Sequence, residues 1–207
     1  MDNLETTFKT VARTFTSDGA LIDRVWYTIT SAHGERTRHY HNLSHLEHLL
    51  NELAGVRQHI SDWPSIVFAI VFHDVVYNST SKSNEENSAL MAGKLLTEMH
   101  VPLQTIGQCK DIIQATKSHF ISPNTDINYF TDADLSILGA DWDQYEAYTK
   151  AIRKEYKFYP AVLYNPGRKK VLTHFLSMSQ IYKTTYFFDR YEKSARQNLA
   201  RELEKLS

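Results

Sequence analysis

Cysteine is nearly missing from this chain of 207 residues, and Cys109 stands alone. No disulfide can therefore close within one chain, which fits a reducing compartment. Its neighbours Ile106, Ile112 and Ile113 point to a buried, inert thiol. No apolar run approaches the ~20 residues that a bilayer crossing needs. The opening Met1-Asp2-Asn3-Leu4-Glu5 has neither the basic start nor the apolar stretch of a secretory signal, so a cytoplasmic protein without a membrane partner is expected. An excess of one charge is also lacking. The 23 basic and 24 acidic residues interleave to a formal net charge of −1, which argues against long nucleic-acid polymers as partners. Glycine-rich phosphate loops, cysteine clusters and nucleophile elbows are absent. So are internal repeats and low-complexity segments that would mark a second domain.

Glycine and proline are scarce, seven and five residues, and hydrophobic residues make up 42% of the chain. Between the few breakers, apolar residues recur at three- and four-residue spacing, the helix period. The expectation is one all-helical domain over residues 1–207. Leu4, Phe8, Val11 and Phe15 form one stripe, and Leu21, Val25, Trp26 and Ile29 a second that ends near His33-Gly34. Leu43, Leu46, Leu50 and Leu53 mark a third helix, on which His41, His45 and His48 would share another face. Asp62-Trp63-Pro64 reads as a capped start with proline in the first turn. The following run, Ile66 to Val76, is apolar almost all round, so this helix should be the buried centre with His73 and Asp74 near its end. Ser79 to Asn84 reads as a polar loop, with Ser83 and Glu86 as a capping box for the next helix. Further helices are expected from Leu103 to Phe120, from Tyr129 to Leu138 with Gly139 as its stop, and from Asp143 onwards. Breaks are expected at Tyr159-Pro160 and at Asn165-Pro166-Gly167.

The chemistry-bearing residues fall in three segments: Arg38-His39-Tyr40-His41-Asn42-Leu43-Ser44-His45, then His73-Asp74, then Asp132-Ala133-Asp134. A two-histidine, two-carboxylate set without thiolate suits a divalent ion that keeps water ligands. Neighbours such as His73 and Asp74 leave a helix about 100° apart and can share one ion only near a helix end. Asp132 and Asp134, about 200° apart on one helix, cannot both serve.

In order and wording these segments resemble the HD superfamily of metal-dependent phosphohydrolases, and the chain as a whole is most similar to its small bacterial predicted members. Tyr40-His41-Asn42-x-x-His45 is similar to the metal-site signature of cyclic-nucleotide phosphodiesterases, and Ala133-Asp134-Leu135 to that of alarmone hydrolases. The resemblance implies a helical bundle whose metal-site core covers about residues 36–140, with a helical extension over 141–207. It selects Asp134 over Asp132, which makes His45, His73, Asp74 and Asp134 the ligand set. It also implies that His41 donates a proton to the leaving oxygen.

Glu85, in the place of an acidic pair that assists the attacking water in alarmone hydrolases, is the other candidate catalytic group beside Asp74. Arg38, Lys82 and Lys117 are candidate phosphate partners. His119 could line the same pocket or serve as ligand to a second ion. Arg153 and Arg168, among tyrosines, could clamp a base or simply pack. The functional expectation is a phosphohydrolase acting on a small phosphorylated molecule, a nucleotide before a sugar phosphate. Its cofactor would be a divalent ion, with manganese, iron, cobalt, nickel, zinc and magnesium all compatible. The alternatives are a catalytically silent sensor that binds metal and nucleotide, or a purely structural metal clamp.

Overall fold

In the computed structural model, which describes residues 4–206, the chain is all-helical, with ten α-helices and no strand among those residues. The backbone divides into two compact units, Met1–Thr131 and Asp132–Ser207.

In the first unit, α1 (Leu4–Ala12), α2 (Gly19–His33), α3 (Leu43–Ala54), α5 (Asn84–Glu98) and α6 (Leu103–Ala115) surround or flank α4 (Trp63–Phe72). Helix α4 starts as its sequence implies. The Asp62 side chain accepts a hydrogen bond from the Ser65 amide, and Pro64 sits where a missing N–H costs nothing. Every residue of α4 from Ser65 to Phe72 is buried, because α1, α3, α5 and α6 all pack on it. A buried start has to be anchored as well as capped. Asp126, itself buried in α7 (Thr125–Asp134), accepts hydrogen bonds from the Ser61 and Asp62 amides at 2.9 and 2.8 Å. Cys109 is fully buried on α6, and burial pushes its thiol well above the ordinary range.

Two local expectations are corrected. Ser83 does precede α5, but its side chain makes no capping bond, since its backbone (φ −125°, ψ 27°) is not extended. Glu86 is drawn instead to Lys117. Helix α6 ends at Ala115 rather than near Phe120. The turn closes at His119, whose left-handed backbone (φ 54°) lets its amide reach the Ala115 carbonyl at 2.9 Å.

The second unit contains the 3-10 turn Leu135–Gly139, then α8 (Trp142–Glu155), α9 (Ala161–Ser177) and α10 (Thr185–Lys205). Pro166 does not break α9. The ring deprives the Val162 carbonyl of its helical donor, and Val162 is 76% exposed, so water can take that place. Arg153 donates to the Tyr156 and Tyr159 carbonyls, and Arg168 is paired with Glu202 at 2.8 Å, so both pack. Asp132 accepts from the Lys183 and Thr184 amides and the Thr184 hydroxyl and pairs with the Lys183 ammonium at 3.0 Å, tying down the start of α10. Gly139 matters for closeness and not for chain reversal: a Cβ there would lie 2.7 Å from the Tyr191 carbonyl oxygen. Gly139→Ala should therefore force α10 outward and destabilise the protein by about 1–3 kcal/mol. Denaturant unfolding would show this as a lower midpoint, whereas Gly107→Ala, at an open position inside α6, should not lower it.

Candidate metal centre

The buried helix α4 runs out of intrahelical partners at its C-terminal end, where His73 is its C-cap. Arg38 serves the carbonyls just beyond that end. Its guanidinium donates to the Asp74 carbonyl through Nη1 and to the Val75 carbonyl at 3.0 Å through Nη2. The Ser88 hydroxyl holds the next residue from α5, accepting from the Val76 amide at 3.1 Å and donating to the Val76 carbonyl at 3.2 Å. The His-Asp segment is thus gripped from two sides.

His45 reaches the same point from α3. Asn42 is the N-cap of that helix, its side chain accepting from the Ser44 amide at 2.9 Å. His41 accordingly lies before the helix and does not share a helical face with His45 and His48. It still comes to the site, with its Nε2 4.0 Å from Asp74 Oδ2. Its ring lies against Tyr77, centroids 4.2 Å apart.

The ring nitrogens decide what the cluster can hold. His73 Nδ1 lies 3.0 Å from the Ile70 carbonyl, an acceptor, so Nδ1 carries the proton and Nε2 offers its lone pair. That Nε2 is 3.1 Å from His45 Nε2 and 3.0 Å from Asp74 Oδ2. Ligand atoms about 2.1 Å from one ion stand about 3.0 Å apart at right angles and about 3.4 Å apart at the tetrahedral angle. The three side chains therefore fit a shared cation, and their ligand atoms all lie within 4.8 Å of one another.

Asp134, the fourth expected ligand, is half-buried in the second unit, at the junction of α7 and the 3-10 turn. Glu85 is half-buried in the first turn of α5, and its charge raises the pKa of Lys117 together with the larger effect of Glu86. Lys117 donates to Glu86 and, at 2.9 Å, to the Lys82 carbonyl, while the Lys82 side chain is exposed. His119 is half-buried at the turn after α6. Of the four expected substrate-binding residues, Arg38 is 6% exposed, and its Nη1 and Nη2 donate to backbone carbonyls.

Three residues near the cluster are ones that the sequence motifs do not single out. Tyr77, three residues past Asp74, supports His41 and lies 5.6 Å below the Arg38 guanidinium. Ser88, on α5, is the second, through its two bonds to Val76. His33, at the end of α2, is the third. It continues the buried stripe Ile22, Val25 and Ile29, and burial, then the charge of Arg38, holds its pKa down to about 3. His73 and His45 lower it further, and Asp74 opposes them.

No protein-family model matches the chain, and no curated protein or solved structure matches it. No helix among the described residues is long and apolar enough to cross a membrane.

Arg38→Ala should remove the guanidinium donors from the Asp74 and Val75 carbonyls and cost about 2–3 kcal/mol of stability, readable by urea titration. His33 predicts a pH effect in metal-free protein. Its folded pKa lies below the unfolded value near 6.5, so the unfolded state takes up the proton first and stability falls as pH drops from about 6.5 toward 3. The slope contributed is about 1.4 kcal/mol per pH unit within that window. His33→Phe should show a correspondingly shallower loss when unfolding is followed at pH 6.5, 5.5 and 4.5.

Proposed function

We propose that the protein is a metal-dependent phosphohydrolase acting on a small phosphorylated molecule, a nucleotide in the first instance. The observation that carries this reading is the convergence of His45 Nε2, His73 Nε2 and Asp74 Oδ2, with a third histidine, His41, 4.0 Å from the same carboxylate oxygen. A structural clamp would need only the ligands. A partly exposed histidine beside them supports chemistry at an open coordination position, as catalytic sites have.

A bound divalent ion supplies Lewis acidity, lowering the pKa of water toward about 7 and polarising a phosphoryl oxygen. The chain's own residues do the rest. His73 presents its lone pair because the Ile70 carbonyl fixes its tautomer. Arg38 keeps the Asp74 backbone in place, so the carboxylate is oriented before any ligand arrives. His41, steadied by Tyr77, is the group that hands a proton from Nε2 to the leaving oxygen. The exposed Lys82 ammonium is the remaining cation at the polar loop for a phosphate. Glu85 orients the attacking water.

The test is release of phosphate or nucleoside from a nucleotide panel in the presence of Mn²⁺, Co²⁺, Ni²⁺ or Mg²⁺. Wild-type turnover should depend on metal and disappear in Asp74→Ala. His41→Ala should retain metal but lose about 10²–10⁴-fold in kcat. Metal binding without turnover on any member of the panel would replace this reading with the sensor.

A further inference from the structure

Buried polar groups are nearly always hydrogen-bonded, so an orphan in a well-packed unit calls for a reason. His33 is 1% exposed, and neither Nδ1 nor Nε2 has a hydrogen-bond partner. It occupies an apolar position: Ile22, Val25 and Ile29 precede it on the same buried stripe of α2, where a phenylalanine or leucine would fill the space at no polar cost. Only five residues later comes Arg38, which is also incompletely satisfied. Its Nε is buried without a hydrogen bond, since Glu35 Oε2 at 3.6 Å is an ion-pair contact too long to count as one. The two orphans belong to one neighbourhood, because the groups that act electrostatically on His33 are Arg38, His73, Asp74 and His45. His33 therefore lies close enough to feel the charges of the metal-centre residues and of the Arg38 clamp.

We propose that His33 is a positioning residue of the metal centre, its ring linked through internal solvent to the Arg38 clamp and so to the orientation of Asp74. The inference rests on the metal reading of the His45, His73 and Asp74 cluster. The imidazole acts through Arg38: one ring nitrogen of His33 and Arg38 Nε, both buried with unmet hydrogen-bonding capacity, are two of the two to four polar partners that a buried water takes. A neutral imidazole provides one donor and one acceptor, and a solvent molecule can bridge such a ring to a guanidinium N–H. An apolar side chain of the same shape would leave Arg38 Nε without that bridge and the His-Asp segment less firmly held.

The experiment is titration of the metal-free protein with Co²⁺, reading affinity and the visible absorption spectrum, for wild type, His33→Phe, His33→Leu, His33→Gln and His33→Asn. The expected result is a 10–100-fold weaker affinity with an altered spectrum in the two apolar variants, the range found for partners of metal ligands. Recovery of the wild-type spectrum and most of the affinity is expected in at least one amide variant. Two apolar variants are used so that misfolding of one leaves the comparison intact. If His33→Phe or His33→Leu binds Co²⁺ as tightly as wild type with an unchanged spectrum and melts at an equal or higher temperature, His33 is a tolerated core residue and the inference fails. If wild type itself shows no Co²⁺ spectrum, it is the metal reading that fails, and His33 loses its role with it.

Discussion

A helix buried on every side has to end somewhere, and the carbonyls beyond its last turn cannot rely on water. In this protein the guanidinium of Arg38 meets that requirement for Asp74 and Val75. The charged donor makes strong hydrogen bonds in a low-dielectric setting. The same two bonds fix where the Asp74 side chain leaves the backbone. Stability of the core and geometry of the candidate centre are thus one problem solved by one side chain. A residue that sequence reasoning offers as one of three candidate phosphate partners is, in the structure, also the donor to the backbone carbonyls beside the candidate centre.

The rest of the centre obeys the same logic of outer contacts setting inner ones. The Ile70 carbonyl determines which nitrogen of His73 faces His45. Tyr77 determines where the His41 ring lies, and Ser88 ties the segment after Asp74 to α5. None of these supporting atoms would touch an ion. Each removes a degree of freedom from a group that would, which is what keeps three ligand atoms from two separate segments within 4.8 Å.

How much of this could be read in advance depended on whether the signal was local. Helix α4 was legible because Asp62, Pro64 and the apolar run all lie within one segment. The convergence of His45 with His73 and Asp74 was legible from motif order. What failed were the inferences in which a local rule met a competitor from elsewhere. The serine-to-glutamate spacing at Ser83 and Glu86 matches a capping box, but Lys117 from the turn after α6 takes the glutamate. Pro166 would break an interior helix, yet α9 runs through it beside an exposed Val162. Asn42 caps α3 and so removes His41 from the helical face that spacing implied. The positions of Arg38 and Tyr77 beside the centre depend on contacts from distant segments, which no periodicity records.

The polar loop after the His-Asp segment is closed at its base by a reciprocal pair. Asn84 accepts from the Asn78 amide and donates to the Asn78 carbonyl, each at 3.0 Å. The segment from residue 79 to 83 therefore lies outside a bracket whose two ends are already joined, with the Lys82 carbonyl held from beyond it by Lys117. Lengthening a loop that is closed in this way carries only about 0.6 kcal/mol of entropy for each doubling. Insertions and replacements there would leave Asp74 where it is. This makes the loop a place where related chains could diverge in what they recognise, or where a new recognition segment could be grafted, while the supporting structure behind it stays unchanged.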